Sequence, residues 1–262
     1  MSAFTIKLIA IIAMALDHVG YYIQPFSNEL FWIFRGIGRI AMPLFCFLIA
    51  KSYKKTSNPY KYALRLAAAA VISEIPFNLF SSGKLIRIGS LNVMVTLLFG
   101  LLSLITIDLF RKNKSIKFFA FVPPLFFIAL ANILGSDYSI YGVILIILFG
   151  IVNSSTTSGR LLAALWVVVF AARNILFFIM KLVLKAIPLP DLLSSKISEP
   201  TLSIWGAFQI LAIVAVIPIL FYNDHPGPRP QNKIARKALQ YSFYMFYPIH
   251  LMIIWFVFQI VL

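Results

Sequence analysis

The chain predicts an all-α polytopic bundle of about nine membrane-spanning helices (eight to ten), and three observations carry that reading. Of its 262 residues, 61% are hydrophobic and the mean hydropathy is +0.93, whereas a soluble domain is about half apolar. Apolar runs of about 18 to 20 residues recur from end to end, the length a bilayer core requires. The basic residues behind the net charge of +15 gather in short loops between those runs. That is the pattern of inward-facing loops of a membrane protein, and it argues against a nucleic-acid partner. No repeat of about 20 to 50 residues and no Ser/Gly/Pro-rich linker divides the sequence, so residues 1–262 are read as one domain.

The spans are expected at 5–24, 30–50, 62–80, 91–110, 118–134, 140–152, 161–182, 202–222 and 241–262, the sixth being short for a full crossing. The first is read as a retained helix, because it lacks a small-residue cleavage site and contains Lys7. Lys51, Lys54, Lys55 and Lys61 follow the second span, and Arg111, Lys112, Lys114 and Lys117 follow the fourth. Arg229, Lys233, Arg236 and Lys237 lie between the eighth and ninth. With nine alternating crossings all three clusters fall on one side, taken as cytoplasmic, which puts the N-terminus inside and the C-terminus outside. The outer loop 183–201 nevertheless holds Lys185 and Lys196. Cys46 is a lone cysteine in an apolar run and is read as packing. No ligand spacing supports a metal site.

Ionisable groups inside spans are costly and mark function. At ~1.5 Å per residue, His18 and Glu74 lie ~18 Å from the cytoplasmic ends of their helices, Arg39 and Arg173 ~17 Å, and His250 ~14 Å. Five helices thus contribute to one central layer. Asp17 and His18 are adjacent and point about 100° apart, so His18 is expected to face a cavity while Asp17 engages an arginine or a polar helix edge. Arg35 and Arg39 share a helix face, and Gly36 and Gly38 between them permit close approach. Pro43 has no N–H for the carbonyl of Arg39. Two guanidinium forks suit a carboxylate or phosphate, or else one of them pairs with Glu74 or Asp17 as internal glue. Glu74, beside Pro76, is expected to be the counter-ion of Arg39, with proton acceptor as its other role. His250 follows Pro248 in an aromatic helix and is open between ligand binding and packing. A histidine near neutral pKa can serve as general base.

Taken in order, several blocks resemble the TraX family. They are Met14-x-x-Asp17-His18-x-Gly20, Arg35-x-x-Gly38-Arg39-x-x-x-Pro43-Leu44-Phe45 and Tyr60-x-x-x-x-Arg65-Leu66. Ser73-Glu74-Ile75-Pro76-Phe77 and Tyr241-x-Phe243-Tyr244-x-x-Tyr247-Pro248-x-His250-Leu251 continue the match. Asn92-x-Met94-x-Thr96-Leu97 and Asp137-Tyr138-x-x-Tyr141-Gly142 add weaker matches, and about 153–200 matches poorly. The resemblance implies a membrane acyltransferase-like fold in a bacterial cytoplasmic membrane, with acetyl-CoA as acyl donor. The expected acceptor is an extracytoplasmic protein or glycan, such as a pilin N-terminus or a surface polymer. It also implies His18, Asp17, Arg39 and Glu74 at the reacting centre, and Arg35, Arg39, Asn92, Tyr247 and His250 around the donor. The rival class is a secondary transporter or ion-coupled carrier using the same buried His, Arg and Glu groups, and an assembly scaffold is a third reading.

Overall fold

The computed structural model describes residues 1–186, 207–228 and 230–261. Residues 187–201 of the loop expected at 183–201, the start of the eighth expected span and Arg229 lie outside the described residues. Helices run as α1 (Ala3–Ile23), α2 (Asn28–Gly38), α3 (Ala41–Lys55), α4 (Pro59–Ser82), α5 (Val93–Lys112), α6 (Val122–Ile133), α7 (Ser139–Ile151) and α8 (Thr157–Ala186). A 3-10 segment (Gln209–Ala215) leads into α9 (Val216–Leu220), and α10 (Lys233–Val261) closes the chain. Among the described residues there is no strand, only an isolated bridge between Leu91 and Ser136. Among the described residues, six segments are long and apolar enough to cross a membrane, and three shorter apolar helices lie among them. Each expected span has its helical counterpart, and the chain is a multi-pass membrane protein.

Local chemistry sets the boundaries. Ser2 Oγ accepts from Thr5 N at 3.1 Å, Ser27 Oγ from Leu30 N at 3.2 Å, and Asn58 Oδ1 from Lys61 N at 2.8 Å. These caps satisfy backbone donors that the first helical turn leaves orphaned. Gly83, at φ +67°, ends α4 in the left-handed conformation glycine adopts freely.

The second expected span is not one continuous helix. It breaks at Arg39–Ile40, where Arg39 N and Ile40 N donate to Gly36 O and Ile37 O, each at 3.2 Å. These are three-residue steps. Pro43 cannot donate to the Arg39 carbonyl, so the regular ladder cannot pass this point. The break lies at the level of the arginines.

Alternation of the helices brings the basic loops to one face. Ala3 N and Phe4 N donate to His225 O and Pro226 O, Lys54 Nζ donates to Val152 O at 2.7 Å, and Lys55 Nζ reaches Asp224 at 2.9 Å. Burial alone would raise the Asp224 carboxyl, but hydrogen bonds from Lys55 and Tyr222 hold it below the usual carboxylate range. The core of this half forms around Phe47, whose ring meets Phe149 and Tyr222 edge-on at 5.5 and 5.2 Å. Outward-facing positions such as Val71, 76% exposed, and Leu64, 70% exposed, form an apolar surface suited to acyl chains.

Candidate functional site

The two neighbours on α1 use their different directions. Asp17 turns toward α2, where Arg35 Nη1 donates to its Oδ2 at 2.7 Å and Arg39 Nη2 to its Oδ1 at 2.5 Å. Arg39 Nε also donates to Arg35 O at 3.1 Å. One carboxylate therefore holds two guanidiniums and leaves the group net positive. Gly38 makes this approach possible, since a Cβ there would lie 2.5 Å from Asp17 Cγ. At Gly20 a Cβ would meet Phe34 Cβ at 3.0 Å. The glycines serve helix-to-helix contact.

The expected Arg39–Glu74 pair does not form. Asn92 Nδ2 donates to Glu74 Oε2 at 2.5 Å and to Ala70 O at 2.8 Å, while Asn92 Oδ1 accepts from Met94 N at 3.0 Å. Asp17 reaches both arginines from the adjacent helix. Glu74 is instead tied to the start of α5, its Oε1 buried without a partner. Asn92 is fully buried and its polar atoms are committed to joining α4 and α5.

His18 turns the other way and meets His250 of α10, with Nδ1 and Nε2 2.7 Å apart. His250 Nδ1 lies 2.7 Å from Phe246 O. A carbonyl only accepts, so His250 Nδ1 carries the proton and its Nε2 is an acceptor when the ring is neutral. His18 Nδ1 must then donate, which leaves His18 Nε2 as the basic nitrogen. The rings stack at 4.9 Å and 24°, and His250 stacks on Phe246 at 4.8 Å. Phe80 meets His18 edge-on at 5.1 Å. Tyr247, 1% exposed, has its ring 6.2 Å from that of His18.

Two residues escaped the sequence reading of the centre. Asp137 and Tyr138 stand before α7 and lie in the electrostatic field of Asp17, Arg35 and Arg39. Their loop is pinned by Leu91 N to Gly135 O at 3.2 Å and Asp137 N to Leu91 O at 2.9 Å, and Thr96 Oγ1 bonds the Asp137 carbonyl. Tyr138 and Ser139 have φ of +59° and +37°, strained values for residues with a side chain. The signal was present as the weak family match Asp137-Tyr138-x-x-Tyr141-Gly142 and as a break between two apolar runs. Nothing in spacing connects it to Arg39. Asp137 is exposed, and Asp17, His18, Arg35, Arg39 and Tyr138 are each partly so. The cluster is partly exposed, not sealed in the core. Arg173 joins it from α8, with Arg39, Tyr138 and Tyr141 in its field.

On the basic face a cavity of about 470 Å³ opens among α1, α3, α4 and α10. Six cations line it, namely Lys7, Lys51, Lys55, Arg65, Arg236 and Lys237, with no acidic side chain among the described lining residues. Its apolar lining includes Ile11, Phe45 and Met94. Phe45 and Met94 also pack on the cluster of Ala13, Met14 and Tyr247, so the cavity and the histidine pair are separated by a thin apolar layer. Among the described residues no group of three or more His, Cys, Asp or Glu could hold a metal ion.

Fold and site together define a multi-pass helical membrane protein with a cluster of charged side chains where α1 meets α2 and a basic cavity on one face. The TraX protein family matches residues 2–258, and the chain belongs to that family. A probable fimbrial assembly protein, FimC of serogroup H1, from Dichelobacter nodosus is 30% identical over 262 residues, covering 95% of this chain and 93% of that one. An uncharacterized protein of Rickettsia prowazekii (strain Madrid E) is 46% identical over 48 residues, 18% of each chain. No solved structure matches.

Proposed function

We propose that the protein is an integral membrane acyltransferase. It moves an acetyl group from acetyl-CoA, entering at the basic and therefore cytoplasmic face, to an amine or hydroxyl on an extracytoplasmic protein or glycan. The observation that carries this is the hydrogen-bonded chain from His18 through His250 to the Phe246 carbonyl, with distances of 2.7 Å at both links. It leaves His18 Nε2 as a basic nitrogen on the helix whose Asp17 holds the arginine pair. Family membership and the name of the Dichelobacter relative make a pilin-type acceptor a natural candidate.

The donor supplies an activated acyl carbon as a thioester. The chain's residues do the rest. Lys51, Arg65, Arg236 and their neighbours offer a cationic mouth for the donor's phosphates, and Ile11, Phe45 and Met94 offer an apolar path inward. His18 Nε2 takes the acceptor's proton as its N or O attacks the acyl carbon, and returns it to the departing sulfur. Arg39, backed by Asp17 and Arg35, stabilises the negative charge that develops on the acyl oxygen. His250 holds His18 in the productive tautomer and accepts a stronger hydrogen bond once His18 is charged. Tyr247 and the Glu74–Asn92 link support this arrangement from below. Purified protein carrying His18→Ala that transferred label from acetyl-CoA at the wild-type rate would overturn the assignment.

A carrier function has one observation in its favour. α2 and α3 are separated by a break, and α7 begins at the same charged layer, as broken helices do around transported ions. The carrier reading requires flux into proteoliposomes without release of free CoA.

A further inference from the structure

Arg173 is the member of the charged layer to which acyl transfer as described assigns no task. We propose that it is an anion subsite, binding a carboxylate or phosphate that the acceptor carries close to its nucleophilic atom. The term acceptor rests on the acyltransferase reading; the anion site itself does not.

The guanidinium is held rather than mobile. Arg173 Nη1 donates to Phe170 O at 2.7 Å, and its Cζ lies 4.4 Å from the Phe170 ring centroid and 4.5 Å from that of Tyr141. Two aromatic faces orient the fork before any ligand arrives. Its ionic needs are unmet. Among the described residues no carboxylate lies within 4.0 Å of it, whereas Arg35 and Arg39 share Asp17. Its Nε is buried without a hydrogen-bond partner. Tyr141 and Tyr138 favour its charge, Tyr141 also by a side-chain hydrogen bond, and the charged side chain that opposes it is another arginine, Arg39. A partly buried cation among aromatic rings and a like charge is stabilised strongly by an anion.

Position selects the occupant. Tyr138 bridges the two arginines, being in the field of Arg39 while its ring stacks 6.5 Å from Phe170. Arg173 therefore neighbours the Asp17–Arg39 cluster from the α8 side, across Tyr138 and Phe170. It does not line the basic-face cavity, so the donor's phosphates are not its ligand. An anion there would set the acceptor's neighbouring amine or hydroxyl against the central layer.

The test uses the full chain in nanodiscs with labelled acetyl-CoA and two pairs of acceptor probes: glycine against glycinamide, and phosphoethanolamine against ethanolamine. In the wild type the anionic member of at least one pair is favoured ~10- to 100-fold in kcat/KM, the range of a charge-assisted hydrogen bond. The favoured pair tells carboxylate from phosphate. Arg173→Met brings the ratio to about one and leaves the neutral probe and the KM for acetyl-CoA unchanged. Arg173→Lys keeps an intermediate preference. Equal loss on both members of each pair, or no preference in the wild type, overturns the proposal. A second readout needs no transfer: inorganic phosphate or acetate raises the unfolding temperature of the wild type more than that of Arg173→Met. If that difference appears while no probe is acetylated, the acyltransferase reading fails and the anion site stands. Equal shifts in the two proteins overturn the site whatever the transfer assay gives.

Discussion

Replacing His250 with phenylalanine isolates the role of the histidine pair. The ring keeps its shape and its stack on Phe246, at 4.8 Å in the native protein, so packing changes little. What disappears is the acceptor 2.7 Å from His18 Nδ1. In the resting enzyme this is a neutral hydrogen bond worth ~0.5–1.5 kcal/mol. Once His18 holds the acceptor's proton its Nδ1–H becomes a charged donor, and such bonds are worth ~1.5–3 kcal/mol. Both states lose the bond, so the barrier rises by the difference, ~1–1.5 kcal/mol, which corresponds to roughly a 5- to 13-fold lower kcat. The tautomer lock is lost as well, which adds to the deficit. The KM for acetyl-CoA stays unchanged, since His250 lies outside the basic cavity. The assay is steady-state transfer of labelled acetyl by His250→Phe, His18→Ala and the double variant. If His250 acts only through His18, the double variant is no worse than His18→Ala. An additional loss of similar size in the His18→Ala background would refute the relay.

Asp17→Asn leaves two guanidiniums facing one another without their carboxylate, and a cost of ~3–5 kcal/mol is expected for breaking so enclosed a pair. It reads as a lower unfolding temperature in detergent, partly restored by adding Arg35→Gln. Gly38→Ala, whose methyl would sit 2.5 Å from Asp17 Cγ, forces α1 and α2 apart. It is expected to cost ~1–3 kcal/mol, more than Gly20→Ala in the same unfolding experiment. Replacing Lys51, Arg65 and Arg236 together with glutamine raises the KM for acetyl-CoA and flattens its salt dependence while leaving kcat in place. In a Cys46→Ala background, Asp137→Cys reacts with an impermeant thiol reagent from outside and Asn113→Cys only from inside, and the reverse pattern would invert the orientation.

The bundle was legible in the sequence because membrane helices satisfy their backbone locally. Length and hydropathy therefore suffice to place the apolar segments along the chain. The same logic found the charged layer, since a histidine, a carboxylate or an arginine at that depth has few neutral explanations. Even the break at Arg39–Ile40 was written in Pro43, although the sequence reading carried the helix through it.

Pairing was not legible. Depth along a helix says nothing of azimuth, so the sequence pointed to Glu74 as the counter-ion of Arg39, and only the approach of α1 to α2 at Gly20 and Gly38 decided for Asp17. The hydrogen bond between His18 and His250 spans 232 residues and depends on how α10 packs, as does the arrival of the strained Asp137–Tyr138 turn beside Arg39. Composition and periodicity fix what each helix buries, because that is a property of one segment in lipid. Which side chains share a proton or a charge is a property of several segments at once, and only their packing specifies it.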